Sequence, residues 1–115
     1  MIRKLSFLFF LFGTLSAQAG PYDGIYSSSG ASCNTEMLGH DGGPVRIQDT
    51  EYTGVEMSCR LTKPTSIRAM NATLYDAKCT GEGEEWEWRI MLMKSYDGIY
   101  WIQDEWVDEW VPCPW

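Results

Sequence analysis

Acidic residues and tryptophans are interleaved in two segments of the C-terminal third of the chain. Residues 84–88 read Glu-Glu-Trp-Glu-Trp, and residues 104–110 read Asp-Glu-Trp-Val-Asp-Glu-Trp. An indole ring can anchor a protein partner or stack on a sugar, while carboxylates steer a basic protein or accept hydrogen bonds from sugar hydroxyls. We therefore place a candidate binding surface in this part of the chain. Its residues are Trp101, Trp110, Trp115, Glu87, Glu105 and Glu109.

The six tryptophans divide into two groups by their expected position. Trp86, Trp88 and Trp106 suit the core as well as a binding surface, because residues 20–115 contain no Phe and few aliphatic side chains. A domain of that composition has to fill its core with aromatic rings. The three tryptophans of the candidate surface are less well placed for the core. We expect these three to be exposed and available for contact.

Four cysteines, Cys33, Cys59, Cys79 and Cys113, are spread widely along the chain. No CxxC pair or Cys–His cluster occurs, so their spacing disfavours a zinc site or a redox-active dithiol. We expect two structural disulfides, each contributing roughly 2–4 kcal/mol in a domain of this size. Four cysteines allow three pairings, which the spacing alone does not separate. We favour Cys33–Cys59 with Cys79–Cys113, because sequential pairs would staple each half of the chain.

Residues that could support catalysis are scarce. His40 is the only histidine and lies in the glycine-rich residues 39–43, which favours a solvated loop position. Those glycines are not followed by the Lys-Ser/Thr of a phosphate loop, and the glutamates of residues 82–87 lack the spacing of a calcium loop. Carboxylate pairs of the glycosidase kind arise by chance in any acidic chain. We therefore predict a protein that is not an enzyme and that uses no cofactor or metal.

The first nineteen residues have the features of a secretory signal peptide. Arg3 and Lys4 precede the apolar residues 5–15, and Ala17-Gln18-Ala19 provides a cleavage site. A membrane anchor is the alternative, but a bilayer-spanning helix needs about 20 apolar residues. We therefore predict a leader over residues 1–19 and one domain over residues 20–115, without a membrane span. The expected location is secreted, in the periplasm. Asn71 opens a glycosylation sequon, which matters only in a eukaryotic secretory route.

The charge balance excludes one class of function. The chain has sixteen Asp+Glu against nine Lys+Arg, a formal net charge of −7. Arg3 and Lys4 leave with the leader, so seven basic residues face sixteen acids in the mature domain and its charge is −9. A nucleic-acid partner requires a basic face, so it is disfavoured. The expected partner is a basic protein or a glycan, bound by a monomer.

Strand patterns dominate the predicted domain. Residues 45–48, 55–61, 72–79 and 85–94 alternate apolar and polar side chains, and the alternation in 55–61 aims Cys59 inward. Pro64 is expected to end or bend the second of these strands. A last strand is expected from Ile99 towards Val111. Short strands joined by Gly-rich turns predict an all-β fold, a small antiparallel meander (barrel or sandwich) stapled by two disulfides.

The last two predicted strands form a hairpin whose register follows from its loop. A three-residue loop, Tyr96-Asp97-Gly98, sets Leu92 opposite Ile102 and Trp88 opposite Trp106. The same register sets Arg89 opposite Glu105, brings Glu85 to Glu109 and leaves Asp104 on the apolar face, where we expect a bulge. The alternative for residues 103–110 is a short amphipathic helix, because Ile102, Trp106 and Trp110 are spaced by four.

Several short segments have a combined resemblance to known exported proteins. They are Gly24-Ile25-Tyr26, Cys33, residues 44–48, residues 56–59, Cys79 with Gly81-Glu82-Gly83, and residues 110–113. With these segments the chain resembles small exported four-cysteine bacterial proteins of uncharacterised function, a resemblance that implies no activity. The periplasmic inhibitors of lysozyme, a very basic enzyme, are similar in size, compartment and charge only.

These observations lead to one preferred class of function. We expect a binding or inhibitory module that recognises a basic protein partner through an acidic, tryptophan-bearing surface. A glycan-binding module and a structural envelope protein are the alternatives. The position of the tryptophan side chains separates these possibilities, because both binding functions require exposed rings.

Overall fold

Alternation of inward and outward side chains persists through most of the described chain and produces eight antiparallel strands. The computed structural model describes residues 20–28 and 30–114, so the predicted leader and Trp115 lie outside the described residues. The strands are β1 Gly24–Ser28, β2 Val45–Gln48, β3 Glu51–Gly54, β4 Met57–Ser66, β5 Ala72–Gly81, β6 Glu84–Lys94, β7 Ile99–Gln103 and β8 Trp106–Pro112. A 3-10 turn, Thr35–Met37, lies in the loop between β1 and β2.

The eight strands form a meander that closes into a barrel. Each strand pairs with the next along the chain, and β8 returns to pair with β1, with Ser27 opposite Val111. The prediction of an all-β antiparallel meander is therefore confirmed, and the fold is a barrel rather than a sandwich. No helix within the described residues is long and apolar enough to cross a membrane.

The central strands β4, β5 and β6 are longer than the others. The register of β4 against β5 shifts between Thr62 and Thr65, around Pro64, so the strand continues past Pro64 with a local irregularity where an end or a bend was expected. At the other end, β6 pairs with β7 only from Ile90 to Lys94. Within the described residues, the first part of β6, residues 84–89, therefore pairs with β5 alone.

Aromatic rings fill the barrel interior together with a few aliphatic side chains. Trp101 and Trp110 stack with their ring centroids 5.1 Å apart, and Tyr52 packs against both at 4.7 and 5.6 Å. An eight-stranded barrel has an interior that side chains can just fill, and here they do. The buried cluster comprises Tyr22, Tyr26, Val45, Ile47, Tyr52, Cys59, Leu61, Tyr75, Ala77, Cys79, Ile90, Leu92, Ile99, Trp101 and Trp110.

The expected exposure of Trp101 and Trp110 is wrong, and a one-residue difference in register explains it for Trp101. The loop between β6 and β7 has four residues, 95–98, so Leu92 lies opposite Trp101 instead of Ile102. The loop closes with Ser95 N–H donating to the Gly98 carbonyl, while Gly98 N–H donates to Ser95 Oγ, both at 2.9 Å. Because side chains alternate between the faces, that shift turns Trp101 inward. Trp101 and Trp110 are only 2% and 3% exposed.

The predicted last strand is two strands joined by a turn. Asp104-Glu105 forms the turn, where a bulge was expected, and the chain returns as β8, so neither a single strand nor a helix covers residues 103–110. Trp106 consequently lies opposite Gln103 instead of Trp88. Likewise Val55, expected at the start of a strand, lies in the turn between β3 and β4.

The charge pairs expected across the final hairpin are also wrong. Arg89 lies opposite Asp76 of β5 and donates to its carboxylate at 2.8 Å, so it does not meet Glu105. Glu85 lies opposite Thr80, far in register from Glu109. The reason is that β6 extends beyond β7, because β7 ends before it reaches residues 84–89.

Both disulfides are present, but the favoured pairing is wrong. Cys59 and Cys79 are directly opposite on β4 and β5 and are bonded to each other. Cys33, in the loop after β1, is bonded to Cys113 beyond β8. Barrel closure explains this second bond, because β8 returns beside β1 and Cys113 N–H donates to the Ile25 carbonyl at 2.8 Å. Two disulfides indicate an oxidising, extracytoplasmic environment.

Tryptic mapping under non-reducing conditions tests this connectivity. At least one Lys or Arg separates each neighbouring pair of cysteines, so trypsin places the four cysteines in four different peptides. We expect one linked pair that contains Cys33 and Cys113, and a second that contains Cys59 and Cys79. A peptide linking Cys33 to Cys59 would contradict the barrel closure described here.

Replacing Gly98 with Ala is expected to destabilise the barrel. A methyl group on Gly98 would overlap the backbone carbonyl oxygen of Trp110 and lie 3.0 Å from Pro112 Cδ. Backbone cannot rotate away as a side chain can, so we expect a loss of about 2–3 kcal/mol in the free energy of unfolding, as for overpacked cores. Urea denaturation followed by tryptophan fluorescence measures it.

Gly83→Ala is the matched control for Gly98→Ala. Gly83 lies in the turn between β5 and β6 at φ 80°, and nothing lies within 4 Å of an added methyl group. Only the backbone cost of about 1 kcal/mol is expected there. Equal losses from the two variants would show that the contact of Gly98 with β8 does not matter.

Candidate functional site

The two ends of the barrel differ in charge. Successive strands run in opposite directions, so the connections β1–β2, β3–β4, β5–β6 and β7–β8 share one end, which we call the mouth end. The carboxylates in these four connections are Glu36, Asp41, Glu56, Glu82, Asp104 and Glu105, and the same connections contain no Lys or Arg. The connections of the opposite end contain Asp49, Asp97 and Arg68. The acidity of the connections is therefore concentrated at the mouth end.

A cavity of about 230 Å³ opens at the mouth end, and we call it the aromatic mouth. Its lining consists of Ser28, Val45, Tyr52, Val55, Met57, Trp88, Trp101, Gln103, Trp106, Asp108 and Trp110. The buried rings of Trp101 and Trp110 form its inner part, while Trp106 is 47% exposed. Trp106 is thus the exposed ring of a cluster that otherwise belongs to the core. Barrel mouths are common positions for ligand sites.

Three polar side chains enter the aromatic mouth because indole N–H groups inside the barrel need acceptors. Trp110 Nε1–H donates to Asp108 Oδ2 at 2.9 Å, and Trp101 Nε1–H donates to Gln103 Oε1 at 2.7 Å. Ser28 Oγ donates to the same Asp108 oxygen at 3.0 Å. Burying an indole N–H without a partner is costly, so these bonds fix the positions of the carboxylate and the amide.

The carboxylate of Asp108 affects the neighbouring phenol. Burial raises the pKa of Tyr52 well above its usual value, and the negative charge of Asp108 raises it further. The Tyr52 hydroxyl also lies against Gly54, where a methyl group would overlap it. Tyr52 therefore stays neutral at physiological pH, and Asp108 is the one acidic residue among the described residues that line the aromatic mouth.

A second cavity, of about 320 Å³, adjoins the aromatic mouth and carries a pair of carboxyl groups. It is lined by Val55, Glu56, Met57, Gly81, Glu82, Glu84 and Trp86, and it shares Val55 and Met57 with the aromatic mouth. A hydrogen bond with Glu82 raises the pKa of Glu56, and the charge of Glu82 raises it further. The neighbouring carboxyl group of Glu82 therefore disfavours the ionised form of Glu56.

Each two-residue turn at the mouth end contains a glutamate in the left-handed region. Glu56, Glu82 and Glu105 have φ of 54°, 49° and 75°. Residues other than Gly, Asn and Asp seldom adopt this conformation, which costs about 1–2 kcal/mol. Three strained positions of the mouth end are therefore occupied by carboxylates where glycine would be the ordinary choice.

The structure does not bring the predicted binding residues together. Glu105 lies in a turn of the mouth end, while Glu87 and Glu109 are exposed on the barrel wall, opposite Lys78 and Tyr100. Trp101 and Trp110 line the aromatic mouth from inside, and Trp115 lies outside the described residues. Whether this set binds a partner stays a prediction.

Sequence reasoning missed the residues that complete the mouth end. Asp108, Glu56 and Glu82 are absent from the predicted binding residues, and the sequence favours the core for Trp106 as much as the surface. The available signal was the pattern Trp106-x-Asp108-x-Trp110, which puts a carboxylate on the same strand face as two indoles. It was obscured because the turn at Asp104-Glu105 was not recognised.

The described residues do not assemble a metal site. They contain no group of three or more His, Cys, Asp or Glu side chains placed to hold an ion. His40 is exposed in the loop between β1 and β2. Trp86 Nε1 is buried without a hydrogen-bond partner in the described part of the chain, beside the cavity of the carboxyl pair.

Comparison with known proteins assigns the chain to no family. No protein-family model, no curated protein and no solved structure matches it. The function therefore has to be argued from the chemistry of the mouth end, because a fold alone does not determine function.

Replacing Glu82 with Gln is expected to lower the pKa of Glu56. The substitution removes the neighbouring charge and supplies an amide N–H that favours ionised Glu56. A raised carboxyl pKa means that the folded state binds the proton of Glu56 more tightly than the unfolded state does. Protonated Glu56 therefore contributes to the free energy of unfolding at low pH. This contribution is lost as the pH rises through the folded-state pKa. NMR titration of the glutamate carboxyl carbons measures the shift.

Glu87→Gln is the control for this titration, because Glu87 lies on the barrel wall. It should leave the pKa of Glu56 unchanged. An unchanged pKa of Glu56 in the Glu82→Gln variant would contradict the hydrogen-bonded pair.

Proposed function

We propose that the protein is an exported binding module that captures a basic protein partner at the mouth end of its barrel. The observation that carries this proposal is the concentration of carboxylates in the four connections that surround the aromatic mouth. Those connections contain no Lys or Arg to offset them. A surface of one sign attracts an oppositely charged partner and raises the rate of encounter.

Exposure at the mouth end supports a contact surface in the same place. Trp106 is 47% exposed and Val55 is 40% exposed, and both line the aromatic mouth. Indole is the side chain most enriched at the energetic centre of protein interfaces, and acids around it would set orientation and specificity. The strained glutamates are a further support, because strain that persists in a fold often serves a site.

The same geometry favours binding over catalysis. The carboxylate of the aromatic mouth already accepts hydrogen bonds from Ser28 and Trp110, an arrangement suited to a fixed charge. The carboxyl pair of Glu56 and Glu82 is on an exposed rim, where water is not excluded from a reacting group. We propose a protein without enzymatic activity that acts as a monomer in the periplasm, as the leader sequence and the two disulfides favour.

Sugar recognition is less well supported by the aromatic mouth. A glycan would need several polar groups directed at its hydroxyls as well as a ring to stack on. Gln103 and Asp108 are instead bonded to the indoles beneath them. A cationic partner requires only the rings and the charge, so it fits the observed arrangement better.

Capture of a basic protein can be measured with lysozyme as the probe. We expect the oxidised protein to bind immobilised lysozyme at low salt and to lose binding at about 1 M salt, where the Debye length is about 3 Å. The double variant Glu82→Gln/Glu105→Gln should bind about 2- to 30-fold more weakly, since each exposed charge pair contributes about 0.2–1 kcal/mol. Surface plasmon resonance gives both rates, and the loss should appear mainly in association.

The matched control removes two charges from the opposite end. Glu51 and Asp97 are exposed near the turns of that end, so Glu51→Gln/Asp97→Asn has the same net charge as the mouth-end variant. It should bind lysozyme nearly as tightly as the unmodified protein. Equal weakening by the two double variants would mean that only net charge matters and would contradict a localised site.

A further inference from the structure

We propose that the aromatic mouth is a cage for one organic cation, the ammonium or guanidinium group of a Lys or Arg side chain of the basic partner. This inference rests on the proposed function and names the group that enters the barrel. It is carried by the juxtaposition of five aromatic rings with one carboxylate in a small open cavity. Three properties of that cavity, its rings, its carboxylate and its size, indicate such a ligand.

The rings provide the attraction. A cation over an aromatic face within about 6 Å of the ring centroid is attracted by the ring's electron density, most strongly over indole. Trp88 and Trp106 are the partly exposed indoles that line the aromatic mouth, while the stacked pair of Trp101 and Trp110 is buried. The attraction for a cation would therefore come mainly from Trp88 and Trp106.

The carboxylate supplies the counter-charge. Asp108 lies between Trp106 and Trp110 on the inner face of β8, because alternate residues of a strand share a face. Ser28 and Trp110 hold its Oδ2 at 3.0 and 2.9 Å, so the carboxylate is oriented before any ligand arrives. Among the described residues that line the cavity, none is Lys, Arg or His. A cation there would meet aromatic rings, the Asp108 carboxylate and the neutral polar groups of Ser28 and Gln103.

The size of the cavity limits what can enter. About 230 Å³ is below the range of roughly 300–1,000 Å³ that holds drug-sized ligands. It suits one head group rather than a folded segment or an oligosaccharide. The remainder of a protein partner would lie outside the cavity, against the acidic turns of the mouth end.

Two small molecules of the same shape distinguish the contribution of positive charge to binding from that of apolar contact. Choline and 3,3-dimethylbutan-1-ol differ by a quaternary nitrogen in place of a carbon. We expect choline to bind at least about tenfold more tightly, because only the cation gains from the ring faces and the carboxylate. NMR of the indole Nε1–H signals should show shifts for the tryptophans of the aromatic mouth. The signal of Trp86, which lines the neighbouring cavity, should move little.

Two variants locate the effect within the aromatic mouth. Asp108→Asn keeps a side-chain oxygen for Ser28 and Trp110 but removes the charge, and should weaken choline binding about tenfold. Trp106→Ala removes the exposed ring at little cost to the core and should weaken it comparably. Tyr96→Ala, at a fully exposed position of the opposite end, is the control and should change nothing. Circular dichroism shows whether each variant folds. If Asp108→Asn does not fold, Trp106→Ala remains as the test of the cage.

The outcomes distinguish this inference from the proposed function. Equal affinity for choline and its neutral analogue, or no binding of choline, would overturn the cage; salt-dependent lysozyme binding would then still support capture by charge. If chito-oligosaccharides shift the same indole signals and choline does not, the cage is replaced by a sugar site. If choline displaces lysozyme and an equal concentration of sodium chloride does not, the cage and the partner share one site, as proposed.

Discussion

Filling a closed barrel from a chain poor in aliphatic residues is the constraint on which this structure depends. Closure by β1 and β8 leaves an interior that must be occupied, and Trp101, Trp110 and Tyr52 occupy it. Indole rings bring N–H groups inside, and each needs an acceptor. Gln103 and Asp108 therefore accompany the tryptophans on the inner faces of β7 and β8. The polar lining of the aromatic mouth thus follows from the way the core is filled.

The fold class and most of the strands could be predicted because they are determined by local alternation, which is visible in a single sequence. The disulfide pairing and the final hairpin could not, because each depends on closure or on a turn. The loop 95–98 is closed by the Ser95 side chain, which a turn signature centred on Asp97-Gly98 does not reveal. Asp104-Glu105 lacks the Asn-Gly or Asp-Gly signature of a hairpin, so the local sequence does not predict the turn between β7 and β8.

For the candidate site, the sequence predicts the types of residue but not which of them lie together. The enrichment of acids and tryptophans in the C-terminal third indicated the chemistry, yet the residues that meet come from distant parts of the chain. Glu56 reaches Glu82 because two hairpin turns share one barrel end, and its backbone N–H donates to the Gly39 carbonyl of the first loop at 2.8 Å. The order of strands around the barrel decides such meetings, and no local pattern contains it.

The three glutamates with a left-handed backbone conformation cost stability but supply negative charge to the mouth end. Glycine at Glu56, Glu82 or Glu105 would relax the backbone, yet each exchange would discharge the end of the barrel that carries the aromatic mouth. Laboratory selection for thermal stability alone would therefore replace these glutamates with uncharged residues. The barrel would then lose the acidic surface that we propose for binding. If glutamate is retained at these turns in related sequences, a requirement other than stability must act on these positions.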